Sequence, residues 1–118
     1  MDSVVPADIL GVQVTEHGPD TRVVTVTGEF DALTAPAVAA VLTEALAIAQ
    51  VVVVNLDGVQ YLASAGLRVL IEAKYLATEK GRDLRLVCHS PSANPVLDGS
   101  GLRDHFNFAD SVPMTLSQ

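Results

Sequence analysis

Val51-Val-Val-Val-Asn-Leu56 is apolar on both faces apart from Asn55. A strand with one wet face alternates apolar and polar residues. A run without alternation belongs to a strand covered on both sides, usually in the middle of a parallel sheet. Parallel neighbours are joined by long crossovers, normally helical, and helical patterns stand on both sides of this run. Ahead of it, Thr34 is placed to be an N-cap and Pro36 is tolerated in a first turn. Val38, Val41, Leu42, Ala45, Ile48 and Ala49 then follow the i, i+3, i+4, i+7 spacing of an amphipathic helix. Behind it, a second helix is predicted from about Ser64 to Glu79. Its stripe is Gly66, Val69, Leu70, Ala73, Leu76 and Ala77, with Arg68 and Glu72 as an i, i+4 pair outside the stripe and Gly81 as the stop.

The remaining elements follow from period-2 alternation and turn residues. Val12 and Val14 alternate with Gln13 and Thr15, Glu16 to Asp20 is a turn by composition, and Thr21 to Thr27 alternates again, so an opening β-hairpin is expected. Asp57-Gly58 is read as a turn. Leu84, Leu86 and Cys88 mark a fourth strand, Ser90 to Pro95 the start of a short helix stopping near Gly99, and Phe106 with Phe108 a last short strand. Ser111-Val-Pro113 is placed to open a terminal helix, and residues 1–8 are expected to be flexible. The order β-β-α-β-α-β-α-β predicts an α/β fold: a mixed, mainly parallel sheet of four to five strands with helices packed on it. The 118 residues are expected to form one domain, with its core over about 10–116.

Composition narrows the partners. Fourteen acidic against seven basic residues leave a net charge of -7, a field that repels nucleic acid and anionic lipid and favours a partner with a basic face. Hydrophobic residues make up 49% but aromatics only 4%, so the core is aliphatic. The longest apolar run, Ile48 to Val54, is broken by Gln50 and is far short of the ~20 residues of a membrane span. With one cysteine, Cys88, no internal disulfide is possible, which fits a reducing compartment. A cytoplasmic location is expected. Cys88 is in phase with Leu84 and Leu86 and is read as a buried, inert thiol. His17 lies in a polar turn and is read as solvated. His17, His89 and His105 have no metal-ligand spacing, so neither a metal nor a cofactor is expected. Phosphate-loop, nucleophile-elbow and zinc-protease motifs are absent, and no enzyme is expected.

Ser64 is the residue with a chemical prospect. A helix N-terminus presents unpaired N–H groups and a partial positive charge, so a phosphate is tolerated there. Phosphorylation would add roughly -1.5 to -2 charges and three acceptor oxygens. The plain alternative is that Ser64 is an N-cap, and a capping serine can also accept phosphate. Gly66 admits two readings as well: close approach of another backbone to the start of the helix, or simple helix–sheet packing. Asp31 is either a partner or phosphosite contact or an ordinary turn residue.

Three local patterns resemble one known family. Gly28-Glu-Phe-Asp-Ala-Leu-Thr34, Asn55-Leu-Asp-Gly-Val-Gln-Tyr-Leu-Ala-Ser-Ala-Gly-Leu67 and Gly99-Ser-Gly-Leu102 followed by Phe106 are similar, in order and spacing, to the STAS domain of bacterial anti-sigma factor antagonists. The resemblance implies that the unphosphorylated form binds an anti-sigma factor, a serine kinase with the histidine-kinase-like ATPase fold, and so frees a sigma factor. It implies phosphorylation of Ser64 by that kinase, with the kinase's own ATP and Mg²⁺, and resetting by a metal-dependent serine phosphatase. The implied binding face is the start of the second helix (Ala63, Ser64, Ala65, Gly66, Leu67, Arg68) with the loop from Asp31 to Thr34. The chain departs from the pattern at Ala63, where many members have Asp, and at Ala65, where Ser or Thr is frequent. Ala63 favours an alternative, a constitutive STAS module that is never phosphorylated, such as a transport-complex subunit or a small-ligand binder.

Overall fold

The structure is a computed structural model that describes residues 11–113. Five strands form one sheet in the order β1-β2-β3-β4-β5: Val12–Glu16, Thr21–Phe30, Val51–Leu62, Asp83–Val87 and Asn107–Phe108. β1 and β2 are an antiparallel hairpin, with Val12 opposite Val26, and every later pair is parallel. Helices α1 (Ala35–Ile48), α2 (Ser64–Lys80) and the short α3 (Asn94–Gly99) make the crossovers, and a 3-10 turn at Arg103–His105 precedes β5. The α/β class, the hairpin and the mainly parallel mixed sheet are as the sequence predicts.

The core lies between the sheet and the helices. Val24, Val26, Val52, Val54 and Leu86 from the sheet are buried against Val38, Leu42, Leu46 and Leu70 from α1 and α2. On the opposite face of the sheet, Val23, Val53 and Val87 form a smaller buried cluster, with Val51, Ala109 and Val112 against it. The run from Val51 is thus covered on both sides, as its lack of alternation requires. The phase of α1 differs from expectation in one residue: Ile48 is 59% exposed while Leu46 is fully buried. At about 100° per residue, the stripe centred on Val38, Leu42, Ala45 and Ala49 takes in Leu46 and leaves Ile48 on the flank.

Two strands run further than alternation alone predicts. β2 continues to Phe30 and β3 to Leu62, seven residues past Asn55–Val87, the last register pair that β3 shares with β4. Asp57-Gly58 is therefore not a turn. It belongs to the first of two bulges in β3: Thr25 pairs with Asn55 but Thr27 with Gly58, and then Gly28 pairs with Val59 but Glu29 with Tyr61. Each bulge places one extra residue on β3. Asn55 steadies the first by accepting a hydrogen bond from the Asp57 amide at 3.0 Å. A Cβ on Gly58 would lie 2.8 Å from Cγ2 of Thr27, so glycine lets the two strands stay paired there.

The projecting half of β3 is stitched to the loop after β4. The Asp57 carboxylate accepts the His89 amide at 2.7 Å and lies 3.0 Å from His89 Nδ1. The buried Ser90 hydroxyl donates to the Val59 carbonyl at 2.6 Å and accepts the amides of Ser92 and Ala93 at 3.1 and 2.9 Å. Arg103 ties the far end of that loop by donating to Asn94 and Asp98, both at 3.1 Å, and lies over the Phe108 ring. Gly81 ends α2 in the left-handed region at φ 69, as expected. His17 is half-buried rather than solvated, with its Nδ1 shut off from solvent and without a partner among the described residues. The expectations for residues 1–8 and for a helix running on past Pro113 lie outside the described residues; Ser111–Pro113 themselves are not helical.

Cys88 is a free, buried thiol just beyond β4. Burial disfavours the thiolate and raises its pKa; the hydrogen bond from the Ser90 backbone acts weakly the other way. A raised folded-state pKa means that the thiol favours the folded form below its unfolded pKa, about 8.5, and that this contribution is lost as pH rises through the higher folded value. At pH 7 Cys88 should react with Ellman's reagent about tenfold more slowly, or slower still, in the native protein than in urea, because burial both suppresses the thiolate and shields the sulfur. Equal rates in the two states would contradict the burial.

Candidate partner-binding site

The projecting ends of β2 and β3 carry two loops side by side. β3 leaves the sheet at Leu62, Ala63 is extended at the N-cap position, and Ser64 is the first residue of the 17-residue α2. Ser64 is therefore not the cap: no side chain caps this helix, and the Ser64 hydroxyl makes no hydrogen bond among the described residues. Leu67 donates to the Ala63 carbonyl at 3.0 Å to close the first turn, whereas the amides of Ser64, Ala65 and Gly66 meet no acceptor. Ser64 is exposed, with its hydroxyl beside three unpaired N–H donors.

The neighbouring loop from Asp31 to Thr34 is held by its own polar atoms. Asp31 Oδ1 accepts the amides of Leu33 and Thr34 at 3.0 and 3.3 Å. The Thr34 hydroxyl donates to the Glu29 carbonyl and accepts the Asp31 amide, both at 3.0 Å. Thr34 occupies the N-cap position of α1 as predicted, but its hydroxyl turns back to β2 and does not cap the helix. Asp31 and Thr34 shape this loop, and the residue they push outward is Leu33, 86% exposed.

The two loops are joined through Phe30. Its carbonyl accepts the Ala63 amide at 3.0 Å. A Cβ on Gly66 would stand 2.7 Å from that same oxygen and 2.9 Å from the Phe30 ring. Gly66 thus lets a backbone come close to the start of α2, and that backbone is β2 of the same chain, in helix–sheet packing. Gly66 and Leu67 are buried, so they support the face from beneath and are not presented to a partner; Ser64 and Arg68 are exposed, and Ala63 and Ala65 are half-buried.

Between α1 and α2, next to Ser64, runs an open groove of about 520 Å³. Ala32, Ala35, Pro36 and Ala39 form one wall, and Ser64, Ala65, Arg68, Val69 and Glu72 the other. Arg68 is the cationic side chain among these lining residues. The ion pairs among the described residues join Arg22 to Glu16, Arg85 to Asp83, His89 to Asp57 and Arg103 to Asp98. The i, i+4 pair expected between Arg68 and Glu72 does not form, and Arg68 makes no other polar contact among the described residues.

Two exposed apolar side chains at this corner have no sequence signal. Leu33 lies in a turn without periodicity, and Tyr61, 55% exposed, follows a bulge that resets the alternation of β3. No group of three or more His, Cys, Asp or Glu among the described residues is placed to hold a metal ion, and no helix among them is long and apolar enough to cross a membrane.

The sequence profile described as the STAS domain matches residues 12–114. This chain belongs to the STAS domain family. Its fold is similar to that of an anti-sigma factor antagonist from Mycobacterium paratuberculosis, with a TM-score of 0.76 at 25% identity over 86% of each chain. The anti-sigma factor antagonist SpoIIAA in its unphosphorylated form aligns with a TM-score of 0.72 at 19% identity, over 85% of this chain and 89% of that one. The Bacillus cell fate determinant SpoIIAA in its phosphorylated form gives 0.67 at 19% identity, over 85% and 92%. Comparison with curated proteins by sequence finds no match. Several structural neighbours of this STAS domain are thus described as anti-sigma factor antagonists, the group that its three motifs resemble.

Proposed function

We propose that this STAS domain is a cytoplasmic anti-sigma factor antagonist, switched by phosphorylation of Ser64. Unphosphorylated, it binds an anti-sigma factor kinase over the start of α2, the outward turn at Leu33 and the mouth of the α1–α2 groove, and so frees a sigma factor. The observation that carries this reading is the exposed, unbonded Ser64 hydroxyl at the first position of a long helix, beside a groove walled by small residues. The domain contributes the acceptor and no catalytic step of its own. The kinase supplies ATP: the bond from Ser64 Oγ to the γ-phosphorus forms as the bridging P–O bond breaks, ADP leaves, and the hydroxyl proton passes to the kinase or to water. A serine phosphatase reverses the change.

The physical basis of the switch is desolvation. An apolar contact at Ala32, Leu33 and Ala65 would have to strip water from a dianion, and an unpaired buried charge costs several kcal/mol. The helix N-terminus tolerates the anion, so the fold survives while the contact fails. Ser64→Glu should weaken binding to a purified anti-sigma factor about tenfold or more, each tenfold corresponding to 1.4 kcal/mol, while Ser64→Ala should bind like wild type. Capture of the anti-sigma factor from the native organism, with phosphosite mapping of the recovered protein, tests the reading. A glutamate variant that binds as tightly as wild type would refute the switch.

The alternative constitutive module draws on Ala63 and Ala65, which offer no polar group beside Ser64 for a kinase to read. Intact-mass measurement after incubation with the captured kinase and ATP separates the two: an added phosphate on Ser64 supports the switch, and none supports the constitutive module.

A further inference from the structure

We propose that Arg68 is the internal counter-ion of phosphorylated Ser64, so that phosphorylation both adds an anion to the groove and withdraws its cation. The proposal rests on the reading of Ser64 as the phosphorylation site and names the residue through which that site acts on the rest of the face. Ser64 and Arg68 are both exposed and line the same groove. They are four residues apart at the start of α2, so they stand one above the other, about 6 Å apart along the axis.

Three features point the Arg68 side chain to Ser64. Helical side chains lean toward the N-terminal turn, so the guanidinium of a residue at i+4 reaches back over residue i. An acidic group ahead of a basic one at this spacing is the favourable order, and a basic group ahead of an acidic one is the poorer order. Arg68 followed by Glu72 has the poorer order, which agrees with the absence of an ion pair between them. Phosphoserine 64 followed by Arg68 has the favourable order. Finally, Arg68 has no competing partner to give up: among the described residues it makes no hydrogen bond or ion pair. A planar guanidinium matches two phosphate oxygens at once, and the unpaired amides of Ser64, Ala65 and Gly66 face the same group.

The consequence is a change of sign across the binding face. Before phosphorylation the groove presents a free guanidinium to an acidic group of the partner. Afterwards Arg68 is folded back onto the phosphate, and the face offers an anion with no available cation. The departures at Ala63 and Ala65 leave the phosphate without polar side-chain neighbours in its own loop, and Arg68 fills that place from the next turn.

The test needs neither kinase nor partner. Phosphoserine is installed at position 64 by genetic code expansion, and its second ionisation is followed by ³¹P NMR in the full chain carrying Arg68, Arg68→Ala, Arg68→Gln or Arg68→Lys. With Arg68 the phosphate should titrate about three-quarters of a pH unit below the Ala and Gln variants, the shift expected for unit charges about 4 Å apart in water. Arg68→Lys should keep part of that difference, and 1 M salt should largely remove it. The helix terminus and its amides are common to all four proteins and cancel. Titrations that agree to within about 0.1 unit across the four would overturn the role of Arg68, yet leave exclusion of a partner by the phosphate itself standing. Failure of the binding assays with the glutamate variant would instead remove the switch while leaving the Arg68–phosphate pair intact.

Discussion

Gly66→Ala lowers the stability of the domain by a net of about 2 kcal/mol and pulls the two halves of the site apart. Alanine gains about 1 kcal/mol over glycine in helix propensity, so the clash has to exceed that gain. The new Cβ meets a backbone oxygen at 2.7 Å and a ring at 2.9 Å, both belonging to Phe30, which is fully buried and has nowhere to go. Relief requires α2 to slide outward, and that movement stretches the hydrogen bond from the Ala63 amide to the same Phe30 carbonyl. Thermal unfolding should fall by roughly 8 °C for a domain of this size. The companion Gly99→Ala, where a Cβ meets nothing within 4 Å, should leave the melting temperature nearly unchanged. A Gly66→Ala protein that melts with wild type would show that the approach of α2 to β2 is looser than described. Because the clash lies beneath Ser64, the same variant should also bind a partner less well without altering any exposed atom.

Ser90→Ala should cost about 2–3 kcal/mol, more than an ordinary loop serine. One hydroxyl donates to the Val59 carbonyl and accepts the amides of Ser92 and Ala93. Its removal leaves a strand carbonyl and two loop amides to find other partners, and Ser90 and Ala93 are buried away from water. Val59 lies in the part of β3 that has already left β4 and leads directly to Tyr61 and Ser64. Urea titration should show a lower midpoint with an unchanged slope, and amide exchange should quicken at Ala93. A loss below about 0.5 kcal/mol would mean that water replaces the hydroxyl at no penalty.

The elements most legible in the sequence are those in which local periodicity and burial agree. The double-sided apolar run at Val51–Leu56, the stripe of α2 and its Gly81 stop each carry their own signal, because period and end-residue chemistry are properties of a short window. The extension of β2 and β3 was not legible. Asp57-Gly58 has the composition of a turn, and only pairing across to Thr25 and Thr27 makes it a bulge. The exposure of Ile48 in place of Leu46 depends on how α1 rolls on the sheet, which its own pattern leaves open by about one residue. The bridge from Ser90 to Val59 carries no signal, since the two become neighbours only when β3 and the β4–α3 loop meet.

The order of elements, the α/β class, the family motifs and the position of Ser64 at the head of a helix were settled by the chain's own residues, for each depends on spacings of a few positions. The placement of the side chains at this corner was decided by the tertiary structure. Asp31 and Thr34 turn inward to hold their loop, Gly66 and Leu67 support the face from below, and Leu33, Tyr61 and Arg68 are left outside. The reason is physical: a side chain's partner is a matter of distance in space, and Phe30, Ser64 and Leu33 become one surface only when two bulged strands outrun their sheet together.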